Sequence, residues 1–324
     1  MNVVFGAMTI GKPGCEGVRV TTLEGTAAIL DVFQQHGHSE IDTARIYGQG
    51  SSEEYLGNVE WQRRDLRMDT KLYPTDGRNM GYLTPDIYTH KPEDFRDGLK
   101  RSLEALKTNK VDMWYLHGPD RSMSFEVTLC EVDKLHKEGL FDRFGIIAQV
   151  CEICEKNRWI KPSVYQGIYH ALQRSIEPEL FPCLRRYGIS LYAFQPLAGG
   201  FLTDRYHRET KDFEEGSSFD PKRWQGGLIH QRYWNDLYFD ALDIIRHAAK
   251  KYRLTEAECA LRWLVHHSKL KKANGDAIII GASSTAQLEQ NLVDIEKDTL
   301  PDEVVQALDG AWQHVQGAVP RYFH

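Results

Sequence analysis

The chain has 324 residues, with 40 Lys and Arg against 46 Asp and Glu and a net charge of −6. That mild acidity lacks the basic field that a nucleic-acid partner requires, so nucleic acid is excluded as the main ligand. Hydrophobic residues make up 41% and charged residues 27%, which excludes a disordered chain, and no apolar run approaches the roughly 18 residues of a membrane span.

Short β-like runs alternate with amphipathic helical stretches along the chain. The first run is at 3–5, and it is not preceded by the charged and apolar regions of a secretory leader. A helix over about 23–36 leads to a second strand at 39–42, and a third follows at 66–71. Phe95, Leu99, Leu103 and Leu106 share one face of the next helix. Further strands are expected at 111–117, 141–147, 163–166, 189–195 and 277–281. Strict alternation implies parallel strands with right-handed crossovers. Eight such units favour a closed α/β (β/α)8 TIM barrel, a single domain over residues 1–324. The surplus length falls at 71–91, at 196–234 and in a tail after Asp309, long segments expected on the active-site face. An open doubly wound sheet would need a glycine-rich fingerprint, and Gly48-Gln49-Gly50-Ser51-Ser52-Glu53 lacks the third glycine.

Polar groups stand at the ends of three consecutive strands. Strand two ends in Asp42, with Tyr47 in the following loop; strand three ends in Lys71; strand four ends in His117. On a barrel all four reach one mouth. A free tyrosine has a pKa near 10, and a neighbouring ammonium favours its phenolate. Asp42 is expected to hold Lys71, His117 to orient a carbonyl oxygen, and Tyr47 to protonate the oxygen that becomes alkoxide as hydride arrives. These are the parts of a carbonyl reductase, with a nicotinamide as hydride source. Read singly, each residue has a bland alternative as a cap, a solvated lysine or a structural histidine.

The run Ile41-Asp42-Thr43-Ala44 with Tyr47, Thr70-Lys71 and Tyr115-Leu116-His117 resembles the aldo-keto reductase superfamily. Ser163 to Gly167, Gln195-Pro196-Leu197-Ala198-Gly199-Gly200, Arg232-Tyr233-Trp234 and Gly281 to Asn291 are similar to its aflatoxin-aldehyde reductase branch. The resemblance implies NADPH-dependent reduction of an aldehyde or ketone, a small-molecule carbonyl substrate, no metal, a cytoplasmic protein and often a homodimer. It places Asp42 near the nicotinamide ribose, Gln166 at the carboxamide, and Tyr192 or a neighbour under the ring. It lays Gln195, Pro196, Leu197, Gly199 and Gly200 over the pyrophosphate, and Ser283, Gln287 and Asn291 along the adenosine. The last three lie at a helix start and on one face behind it, where phosphate is favoured, although an ordinary capped helix has the same pattern. His117, Trp224, Arg232 and Arg321 are the expected substrate contacts. Tyr233, Trp234 and Tyr238 either roof the pocket with Trp224 or simply pack the long loop.

The chain departs from the family after strand five. The usual Ser-Asn turn is absent from Phe144-Gly145-Ile146-Ile147-Ala148-Gln149-Val150. The lost Asn normally holds the carboxamide, and hydride transfer suffers from misplacement by about 1 Å. Gln149, Gln166 or His170 could substitute for it. Otherwise the acid–base set serves a non-redox isomerase, dehydratase or cyclase, or the barrel binds NADPH without catalysis. Cys151-x-x-Cys154, inside an expected helix, suits reduced thiols better than redox or zinc chemistry, and adjacent His266 and His267 point in different directions.

Overall fold

The computed structural model describes residues 1–78, 80–145, 150–320 and 322. Its strands are β1 Asn2–Gly6, β2 Glu40–Asp42, β3 Arg67–Leu72, β4 Val111–Leu116, β5 Phe141–Gly145, β6 Val164–Ile168, β7 Ser190–Phe194 and β8 Ala277–Ile280. They pair in sequence order, all parallel, and β1 closes on β8. The expected (β/α)8 barrel is therefore the observed fold.

Helices cover the outside: α1 Leu23–Gln35, α2 Ser51–Asn58, α3 Pro92–Ala105, α4 Phe125–Lys137, α5 Cys151–Asn157 and α6 Leu180–Tyr187. The rest are α7 Trp224–Tyr233, α8 Asp236–Lys251, α9 Glu256–His266, α10 Thr285–Glu296 and α11 Asp302–Val315. Local chemistry starts many of them. Thr22, Ser124, Asn235, Thr255 and Ser284 each accept a hydrogen bond from a backbone N–H in the first turn of the helix they precede. Phe95, Leu99 and Leu103 face inward from α3, as their spacing predicts. Two boundaries differ from expectation. The segment after β7 contains α7, and the chain beyond Asp309 continues as helix to Val315, so the tail is shorter than expected.

The barrel interior is only partly apolar. Val4, Met113, Val164, Ala277 and Ile279 pack there with Tyr115 and Tyr192. Among them Arg143 donates to Glu40 at 2.8 Å and to the Tyr192 hydroxyl at 3.2 Å, and Tyr192 donates to Glu40 at 2.8 Å. Asp69 is fully buried, paired in register with Asp42 and 3.8 Å from Arg143. Burial, and then the negative charge of Glu40, push the Asp69 carboxyl well above the usual carboxylate range. This ionic layer is the floor of the site described next.

Cys151 and Cys154 lie in α5 as buried thiols, both pushed up by burial to about 11. They are poor nucleophiles at neutral pH. His266 meets the Lys297 carbonyl and His267 accepts from the Leu300 N–H, so the two rings serve different neighbours. Among the described residues no helix is long and apolar enough to cross a membrane.

Candidate active site

The four strand-end residues meet. The Lys71 ammonium donates to Asp42 Oδ2 at 2.6 Å and to the Thr43 carbonyl at 2.7 Å. It also lies 5.0 Å from the centre of the Tyr47 ring. Tyr47 stands edge-on to His117, ring centres 5.7 Å apart. Strand geometry explains this convergence. Asp42 ends β2, Lys71 is the penultimate residue of the neighbouring β3, and His117 follows the last residue of β4, its N–H bonded to the Leu72 carbonyl at 2.9 Å.

Burial opposes the Lys71 charge, but Asp42, Tyr47 and Asp69 outweigh it, so its pKa ends above that of ordinary lysine. The ammonium is therefore permanent at neutral pH. For Tyr47, burial raises the pKa and Lys71 lowers it; burial wins, and the phenol ends above its usual value. The sequence argument anticipated the pull of the lysine but not the larger opposing effect of desolvation. As a proton donor, Tyr47 is fully loaded at neutral pH. Burial and then Lys71 push His117 well below the ordinary histidine range, so its imidazole is neutral. Its Nδ1 is buried without a hydrogen-bond partner among the described residues.

The Gln166 amide donates to Asp42 Oδ1 at 2.8 Å, joining β6 to the same cluster. His170 cannot replace the missing Asn. It is fully buried, its Nε2 meets the Tyr233 hydroxyl at 3.0 Å, and its Nδ1 accepts from the Leu172 N–H. Gln149 and Arg321 lie outside the described residues, which leaves Gln166 as the described candidate. Tyr192 is also ruled out as a ring-stacking residue, because Glu40 and Arg143 hold it inside the barrel. Phe194, two residues along β7 and half-buried, occupies the same face nearer the mouth. Alternation along the strand could have selected it over Tyr192.

The residues expected along the pyrophosphate and adenosine lie in the turn after β7 and at the start of α10. Gln195, Gly199 and Gly200 take positive φ values of 56°, 70° and 102° in the turn after β7, with Pro196 and Leu197 between them. The Ser283 N–H and hydroxyl both donate to Gln287 Oε1, at 3.0 and 2.8 Å, at the start of α10. Asn291 is half-exposed one turn further on. Gly281 is exposed at the exit of β8, and a Cβ there would meet only the Gly6 carbonyl, at 3.6 Å. Positive-φ glycines, an open strand exit and a helix start are the groups here that could hold an extended dinucleotide.

On the substrate side the aromatic group divides. Tyr233 and Tyr238 are buried and pack around Phe201, and Trp234 stacks on His230, so these three belong to the loop core. Trp224 remains 42% exposed and meets the exposed Tyr82 ring at 5.3 Å. The Tyr82 carbonyl accepts from Gln49, two residues past Tyr47, so this pair rims the mouth. Arg232 lies 5.9 Å from the Tyr233 ring centre. Tyr73 was not anticipated. It stands edge-on to His117 at 5.4 Å, with the Arg78 guanidinium over its ring at 5.2 Å. An aromatic just past a catalytic strand end was the available signal.

A family model described as the aldo/keto reductase family matches residues 2–313. The chain belongs to that family and is an oxidoreductase of carbonyl groups. It is 50% identical over 332 residues to the aldo-keto reductase pigE of Monascus ruber, covering 99% of this chain and 97% of that one. It is 38% identical over 336 residues to the mouse aflatoxin B1 aldehyde reductase member 2, covering 99% and 87% of the two chains. Among solved structures, the glycerol dehydrogenase AKR11B4 from Gluconobacter oxydans superposes with a TM-score of 0.73. It is 22% identical, with 99% and 94% of the two chains covered.

Proposed function

We propose that Tyr47 is the general acid in the reduction of an aldehyde or ketone, with Lys71, Asp42 and His117 as its supporting groups. The observation that carries this reading is the Lys71 ammonium held between the Asp42 carboxylate and the Tyr47 ring, with the His117 imidazole beside them. Asp42 fixes the ammonium in place. The ammonium stabilises the negative charge that Tyr47 acquires as it releases its proton. His117 Nε2 donates to the carbonyl oxygen and aligns it for that proton. NADPH supplies the hydride when bound, and Gln166, Phe194, Gly199, Gly200, Ser283, Gln287 and Asn291 are the residues that would hold it. The exposed Tyr82 and Trp224, with Tyr73, favour a planar, largely apolar carbonyl compound.

The chain works as one barrel unit under this reading. A cytoplasmic location agrees with six free thiols. A homodimer is the assembly proposed from the branch resemblance, and light scattering tests it. The decisive experiment on the site is Tyr47→Phe, assayed by NADPH oxidation with a reactive aromatic aldehyde. Turnover should fall by about 10²–10⁴-fold, while NADPH still quenches tryptophan fluorescence. Wild-type turnover in that variant would remove Tyr47 from the mechanism.

A further inference from the structure

Tyr47 is presented from an irregular turn. Gly48, Gln49 and Gly50 all have positive φ, 54°, 58° and 88°. The backbone anchors the base of this loop to β3, through Thr43 N to Asp69 O at 2.9 Å and Arg45 N to Lys71 O at 3.1 Å. Beyond that base, one side chain spans from the loop to the strand that carries Lys71. Glu53, in the first turn of α2, has no solvent-exposed surface. Its Oε1 accepts from the Thr70 hydroxyl at 2.6 Å, and its Oε2 accepts from Arg45 Nη1 at 2.6 Å. Thr70 immediately precedes Lys71, and Arg45 lies two residues before Tyr47. The Arg45 guanidinium also wraps Gly50 so closely that a Cβ there would sit 2.2 Å from Nη2. One buried carboxylate thus connects the neighbour of the ammonium to the loop of the phenol.

We propose that Glu53 is a positioning residue for carbonyl reduction: a strut between Thr70 and Arg45 that sets how closely Tyr47 approaches Lys71. This rests on the assignment of Tyr47 as proton donor. The strut acts through geometry. Charge-assisted bonds to a buried carboxylate are short and directional, and a proton donor displaced by about 1 Å loses much of its effectiveness. The groups facing Tyr47 are Lys71 from β3, Asp42 from β2 and His117 after β4. Behind Arg45 stand Asp86, 3.8 Å from its Nε, and the Tyr88 hydroxyl. Neither of these reaches the strand that carries Lys71 through a hydrogen bond to Thr70, as Glu53 does.

The test uses two independent ends of the strut. Thr70→Val removes the hydroxyl that binds Oε1 with little change of shape, and Glu53→Ala removes the strut. Both should lower kcat, T70V by about threefold to tenfold and E53A by about 10–100-fold, with KM for NADPH unchanged. Both should also shift the pH profile. Lys71 lowers the phenol pKa, so a more distant Lys71 lets that pKa rise. The alkaline limb of kcat/KM, where the donor loses its proton, should then move to higher pH by about half a unit to one unit. Thr70→Ser should restore both values. A purely structural role predicts loss of activity in step with loss of folded protein and an unmoved limb, and that result overturns the proposal, as does wild-type kcat in T70V. If E53A does not fold, T70V against T70S decides alone. If Y47F is inactive while T70V behaves as wild type, only the strut falls; if Y47F is fully active, the reading beneath it falls first.

Discussion

Lys71 shows how much of the site depends on one residue. It is buried, and its Nζ donates to Asp42 and to the Thr43 carbonyl. Truncating it leaves Asp42 buried with Gln166 as its remaining side-chain donor. Breaking one side of a buried pair costs about 3–5 kcal/mol, whereas replacing both partners by apolar groups costs far less. Lys71→Met should therefore be markedly destabilised in urea unfolding, and K71M combined with Asp42→Leu should recover much of that loss. Both proteins should be catalytically dead, because neither retains the ammonium. A double variant no more stable than K71M would show that the pair's mutual burial is not the source of the cost. The four catalytic candidates were legible in the sequence because Asp42, Lys71 and His117 lie at the ends of three consecutive strands and Tyr47 in the loop after the first, and a barrel brings those ends to one mouth. Glu53 and Arg143 were not, because their meaning depends on a partner elsewhere. Arg143 reaches Glu40 across a sequence separation of 103 residues, and no local pattern encodes that.

The strands were the most legible elements, since short β-like runs and helical spacing alternate along the chain. The exception is α7. Its sequence, Trp224-Gln225-Gly226-Gly227, opens with poor helix formers, and Arg223 offers no side-chain cap. Packing overrides propensity there: a Cβ on Gly226 would lie 1.8 Å from the Asp220 carbonyl oxygen, while nothing lies within 4 Å of one on Gly227. The two glycines therefore predict opposite outcomes. Gly227→Ala should stabilise the protein by up to about 1 kcal/mol, the ordinary gain of alanine over glycine in a helix. Gly226→Ala should destabilise it by about 1–3 kcal/mol, because backbone must move to admit the methyl group. Thermal unfolding of the pair measures both signs. If G226A is as stable as G227A, the close approach of α7 to Asp220 is not real. The aromatic group allows two readings in the sequence for a related reason. Periodicity cannot tell a ring facing a cavity from one facing another ring, and Tyr233 and Tyr238 face Phe201.

Across the whole molecule, buried titratable groups set the pH range of stability. His90 and His170 are both buried, and burial pushes their pKa values down to about 4 and about 3. His117 is depressed in the same direction. In the unfolded chain these rings take up protons near pH 6.5, while in the fold they stay neutral. The unfolded state therefore binds more protons below that pH, and stability falls as pH falls, by about 1.4 kcal/mol per unit for each ring. Asp69 acts in the opposite sense. Its raised pKa makes the fold the better proton acceptor above the ordinary carboxylate range, so its contribution is lost as pH rises and offsets one ring. The depressed rings outnumber the raised carboxyl, so stability falls as pH drops from about 6. Glu40 adds to the loss at still lower pH, since Arg143 and Arg67 overcome its burial and hold its carboxyl below the usual range. Against a total stability of about 5–15 kcal/mol, the protein should be markedly less stable at pH 4.5 than at pH 7. Urea unfolding at several pH values measures the slope, and His170→Asn should flatten it by about 1.4 kcal/mol per unit. Stability that stays level or rises on acidification would mean that these histidines are protonated in the fold.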